Sequence, residues 1–136
     1  MIQGGDFTHG DGTGGESIYG EYFPDEIPIE TSPQRRLSEL THKHRNFLTM
    51  ANKDRSNSQS SQFFINTVKT TWLDGVTGNL AQQTGQNLII GIVLEGQDVV
   101  TQIERQGTIS GVPRRKIVIR DSGELSLDRY DLTNYK

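Results

Sequence analysis

Apolar positions along this 136-residue chain come in short runs separated by turn-forming residues, a pattern of strands rather than long helices. Residues 47–51 (FLTMA) and 62–67 (QFFINT) are strand candidates. Residues 88–94 (LIIGIVL) form the most apolar run, with Gly91 marking a bulge or a close backbone approach. Residues 116–120 (KIVIR) read as a β-branched strand ending at the Asp121-Ser122-Gly123 turn. The opening MIQGGD reads as the second half of a buried strand running into a wide polar loop. One helix is predicted over residues 96–105 (GQDVVTQIER). Asp98 lies in its first turn, Arg105 in its last, Gly107 just beyond, and Val99, Val100 and Ile103 on one face.

Three polar segments read as insertions between strands. Residues 31–45 are basic, with a candidate helical turn around Leu37 and Leu40; residues 53–61 (KDRSNSQSS) read as an exposed loop; residues 76–86 have no periodicity. The domain is placed at residues 1–125. Residues 126–136 form a C-terminal tail, either disordered or docked through Tyr130, Leu132 and Tyr135.

Composition narrows the picture. The length suits one domain, but only 32% of residues are hydrophobic and 15 are glycine, so the core is modest and the loops long. The net charge of −3 provides no field for nucleic acid or an anionic membrane. Without cysteine there are no disulfides, thiolate nucleophiles or Cys-based zinc sites. No apolar run approaches the ~18 residues of a membrane span, and neither a leader nor a glycosylation sequon is present. The expectation is an intracellular protein, in cytoplasm or an organelle, with no cofactor.

Three local motifs are better explained by structure than by chemistry. Residues 10–15 (GDGTGG) match the dinucleotide fingerprint, but the residues that follow do not make a helix, so the glycines read as loop residues. His9, His42 and His44 lack clustered acidic or cysteine partners and read as solvated surface histidines rather than metal ligands. Arg114, Arg115 and Lys116 read as a solvated strand edge, with partner binding as the alternative.

A dispersed constellation remains. Met1 and Gln3 share a face of one strand, and Gln62, Phe64 and Asn66 share a face of another. Ala51 and Asn52 end the FLTMA strand, Trp72 and Leu73 lie in the TTWLDG turn, and Asn87 leads into LIIG. The set holds no base, nucleophile or metal ligand. It suits a shallow apolar pocket rimmed by amides, hence peptide recognition; spacing alone favours the plainer reading of Phe64 and Met1 as core residues and Trp72 as a loop anchor.

The motifs MIQGGDF-x-x-G-x-G-TGG-x-SIYG, NFLTMAN, SQFFINT, TWLDG, LIIG and RDSGEL, in that order from Met1 to Leu125, closely resemble the cyclophilins. The resemblance implies a mainly β fold, a closed antiparallel barrel capped by helices, and cis/trans isomerisation of X–Pro bonds. The barrier concerned is amide rotation, about 18–20 kcal/mol. In this family an apolar pocket holds the proline ring while an arginine donates toward the prolyl nitrogen as resonance is lost.

Carried onto this chain, Met1, Phe64 and Leu73 form the pocket. Gln3 bonds the substrate backbone, Ala51 and Asn52 bind the residue before proline, and Gln62 and Gly12 line the adjoining groove. Trp72 offers its indole N–H at the rim, a feature that also favours cyclosporin, and Asn87 stands where the family commonly has histidine. The family's catalytic arginine lies just before the position matching Met1, and no arginine of this sequence falls there. Losing such a donor costs on the order of 10²–10³ in rate. The resemblance therefore implies a domain without its N-terminal strands, its barrel edges open. It implies an isomerase of reduced or lost activity binding a proline-containing peptide or protein, with another chain as the candidate source of the missing strands. The alternative is a non-catalytic scaffold subunit of a larger assembly.

Overall fold

In a computed structural model of the chain, residues 1–25, 41–53, 55–74 and 87–126 are described. They divide into two compact units, residues 1–106 and the stretch from 107 onward. The candidate insertion at residues 76–86, most of that at 31–45, and all but the first residue of the tail lie outside the described residues.

The first unit is built on a four-stranded antiparallel sheet. Its strands are β1 (Ile2–Gly4), β2 (Phe47–Met50), β3 (Phe63–Ile65) and β4 (Ile89–Ile92), in the order β1-β3-β2-β4. Gln3 and Thr49 both lie opposite Phe64, one on each side of β3. The β2–β4 register slips: Leu48 faces Gly91 and Thr49 faces Ile89, so Ile90 is the extra residue of a bulge. The irregularity expected at Gly91 thus falls one residue earlier. A Cβ at Gly91 would make only an ordinary 3.8 Å contact with Leu48. Among the described residues the sheet is open, in line with the open barrel edges of the sequence expectation, since four strands are too few to close a barrel.

Period-2 alternation fixes the faces. Along residues 62–66 burial alternates, with Gln62, Phe64 and Asn66 buried and Phe63 and Ile65 half-buried. Among the described residues, the buried apolar side chains are Phe47, Phe64, Ile89 and Val100. The largest fully buried side chains among the described residues are all polar: His42, Gln59, Asn66, Thr49 and Ser58. Such an interior is stable only if its polar groups are hydrogen-bonded.

Helix α1 (Gln97–Glu104) begins after Gly96, which takes φ 79° and has no side-chain cap. Gln97 Nε2 instead donates to the Val93 and Leu94 carbonyls, each at 3.0 Å, tying the helix start to the end of β4. Val100 is buried and Ile103 half-buried, but Val99 is 51% exposed. The expected three-residue apolar face is narrower, because Val99 sits about 100° around the helix from Val100.

Ser58, Gln59 and Ser60 are also buried, contrary to the exposed loop expected over residues 53–61. Gln59 bridges to Phe23 through its main chain, and its Nε2 donates to Asp25 Oδ1. In the second unit, the KIVIR run forms no strand, and Ile117, Val118 and Ile119 are exposed. β-Propensity is realised only against a neighbouring strand, and among the described residues nothing pairs with this run.

Candidate functional site

Gln62 organises the groove. It is buried at the start of β3, on the same face as Phe64. Its Nε2 donates to the Gly12 and Gly14 carbonyls at 2.9 and 2.7 Å, and its Oε1 accepts from Gln3 Nε2 at 2.6 Å. Its main-chain carbonyl accepts the Ala51 N–H at 3.0 Å. One side chain and its backbone thus gather Gln3, Gly12 and Ala51, three residues far apart in sequence. Asn52 follows Ala51 directly, and the Met50 N–H bonds the Leu88 carbonyl at 2.9 Å, which brings Asn87 to the same end of β2.

The glycine-rich loop is shaped by Asp6. Its carboxylate accepts the N–H groups of His9, Asp11, Gly12 and Gly14 and the Thr8 hydroxyl. Donation from His9, followed by Gly14, Gly12 and Gly10, outweighs desolvation and holds the carboxyl far below its ordinary range. The Thr13 hydroxyl and then its N–H likewise lower Asp11. The loop is a backbone cage around a resident carboxylate, and no helix follows it. At Gly5, φ is +92° and a Cβ would stand 2.2 Å from the Ser61 carbonyl oxygen, so only glycine fits where the loop leaves β1.

The 3-10 turn Thr71–Asp74 carries Trp72, 71% exposed, and the half-buried Leu73. The turn is joined to the sheet through His42. The His42 N–H donates to Asp74 Oδ1 at 2.7 Å, its Nδ1 lies 2.5 Å from the same oxygen, and its Nε2 lies 3.0 Å from Thr49 Oγ1. The ring stacks on Phe64, with centroids 6.2 Å apart and planes 19° from parallel. His42 is 1% exposed, so the expectation of a surface histidine is wrong for it; His9 and His44 are exposed. The burial follows from Asp74, 32 residues away, which satisfies the imidazole. The signal available in the sequence was the acid of TWLD, which spacing alone does not join to His42.

Asn66, also missed as a structural residue, is wholly buried. Its Oδ1 accepts the Phe47 N–H at 2.7 Å, and its Nδ2 donates to the His44 and Val68 carbonyls at 2.7 and 2.9 Å. Phe64 is 4% exposed between His42 and Gln62, whereas Met1, just before β1, is 64% exposed. Among the described residues no group of three or more His, Cys, Asp or Glu is placed to hold a metal ion, and no helix is long and apolar enough to cross a membrane.

Among the described residues, a mainly β framework of one open antiparallel sheet and one helix brings together an apolar side chain, two glutamine amides and an exposed indole on a short turn. Residues 1–124 match the family model described as cyclophilin-type peptidyl-prolyl cis-trans isomerase/CLD. The chain is also 42% identical over 132 residues to the Arabidopsis thaliana protein named peptidyl-prolyl cis-trans isomerase CYP21-1, covering 96% of this chain and 50% of that one. The chain belongs to the cyclophilin family. It spans about half the length of this curated relative.

Proposed function

We propose that these residues bind an X–Pro segment of a peptide or protein and favour rotation about its prolyl bond. The observation that carries the reading is the Gln62 hub, which supports Gln3, Gly12 and Ala51 as one continuous edge beside Phe64. On this reading Phe64 is the apolar floor for the proline ring, with Met1 and Leu73 at its sides. Ala51 and Asn52 hold the preceding residue in extended form, and the Trp72 indole and Asn87 donate at the rim. Gln3 aligns the substrate carbonyl. Such groups accelerate rotation only to the extent that they bind the twisted amide better than the planar one.

No arginine of this sequence stands at the family's donor position. The chain assayed by itself is therefore expected to bind proline peptides and to turn them over slowly, by on the order of 10²–10³ less than an arginine-bearing site. Residues 1–125 act as the binding domain on this reading, and residues 126–136 as an appended tail.

The test is exchange NMR on an Ala-Pro peptide with the 136-residue chain added. Binding with exchange enhanced above the uncatalysed rate supports the proposal. Binding with no enhancement favours the alternative of a non-catalytic scaffold, and absence of binding refutes the site.

A further inference from the structure

We propose that His42 is a positioning residue for the proline site, joining the floor of the site to the turn at its rim. This rests on the proline-site reading and adds a residue to it. His42 touches both parts: its ring stacks on Phe64, and its Nδ1 and main-chain N–H both meet Asp74 Oδ1. Asp74 closes the Thr71–Asp74 turn that carries Trp72 and Leu73. A second main-chain bond, Thr70 N–H to the His42 carbonyl at 3.0 Å, fastens the start of the same turn. On the opposite side of the ring, Nε2 meets the hydroxyl of Thr49, a wholly buried residue paired with Phe64 across β2 and β3. Phe47 packs edge-on at 6.4 Å.

These contacts determine the ring's orientation. A carboxylate only accepts, so Nδ1 is the donor toward Asp74. In the neutral ring Nε2 then accepts the Thr49 hydroxyl proton; in the charged ring the hydroxyl turns and accepts instead. Every polar atom of a ring 1% exposed therefore has a partner in either form. The ring has no freedom to rotate without breaking a bond at one end. Phe64 consequently has a fixed surface behind it, and Trp72 is held at a fixed place along the chain from that surface. The short turn has no buried residue of its own to anchor it.

Two substitutions separate the ring's two functions. His42→Phe keeps an aromatic ring against Phe64 and removes both polar side-chain links. His42→Asn places an amide donor near the Nδ1 position and removes the stack. Trp72 is the sole tryptophan, so its fluorescence anisotropy and iodide quenching report the turn directly. For His42→Phe in the full chain, with amide dispersion retained, Trp72 is expected to gain rotational freedom and the Ala-Pro peptide Kd to rise at least fivefold. For His42→Asn, Trp72 mobility is expected to return toward that of the parent while the peptide Kd stays raised. A folded His42→Phe protein with parental anisotropy and a Kd within twofold overturns the assignment. If His42→Phe does not fold, Asp74→Asn, which weakens the same link from its half-buried partner, is read by the same two signals and with the same outcomes. If the parent itself leaves the peptide unbound, the proline-site reading fails, and the Trp72 signal alone decides whether His42 holds the turn.

Discussion

Replacing Asn66 with alanine tests whether a polar interior holds this sheet together. The amide accepts from Phe47 N–H in fully buried surroundings and donates to the His44 and Val68 carbonyls in partly buried ones. Leaving a buried N–H without a partner costs about 1–3 kcal/mol, and each of the two partly buried bonds contributes about 0.5–1.5 kcal/mol net. Asn66→Ala is therefore expected to lose about 2–6 kcal/mol, a large part of the ~5–15 kcal/mol typical of a domain. Asn66→Asp has nearly the same volume but turns an acceptor toward two carbonyls. It is expected to be at least as destabilising at neutral pH, and less so in acid, where its protonated oxygen donates. Urea denaturation followed by far-UV circular dichroism provides the midpoint and slope. An Asn66→Ala midpoint shift corresponding to less than about 0.5 kcal/mol, the range of ordinary surface changes, would refute the reasoning, as would Asn66→Asp matching the parent.

Three further outcomes follow from the loop geometry and its surroundings. Asp6 has a folded pKa below its unfolded value, so its contribution is present above about pH 4 and is lost as pH falls through the folded value. In acid, and in Asp6→Asn at neutral pH, the His9, Gly12 and Gly14 amide resonances are expected to move together; unmoved amides would contradict the cage. Gly5→Ala places a Cβ 2.2 Å from the Ser61 oxygen at φ +92° and is expected to cost at least about 1–3 kcal/mol in thermal or urea melts. Tyr22→Phe removes the hydroxyl that accepts from Lys53 Nζ at 2.8 Å but keeps the ring beneath Lys53 and Arg55, so melts should shift by less than about 1 kcal/mol.

Much of the framework was legible because it rests on local pattern. FLTMA, QFFINT and LIIGIVL each contain the strand they were read to contain, since apolar runs bounded by turn residues pack onto a sheet. The helix was found to within a residue at each end from its terminal signals. What escaped is long-range. His42 looked solvated because Asp74 and Phe64, which enclose it, lie 32 and 22 residues further along the chain. Residues 58–60 looked like loop because Ser and Gln are polar, yet hydrogen bonds to Arg55, Lys53, Phe23 and Asp25 bury two of them. KIVIR failed in the other direction, a strong β pattern with no described strand beside it. Of the candidate site, sequence resemblance named Gln3, Gly12, Ala51 and Gln62, but not that Gln62 alone joins the other three.

The most direct test of the central claim is a titration of the isotope-labelled chain with an Ala-Pro peptide, read residue by residue from amide and indole resonances. The account expects saturable shifts concentrated at Gln3, Gly12, Asn52, Gln62 and Phe64 and at the Trp72 indole, attenuated in Gln62→Leu. Absence of shifts at saturating peptide, or shifts confined to α1 and to residues 107–126, would contradict it.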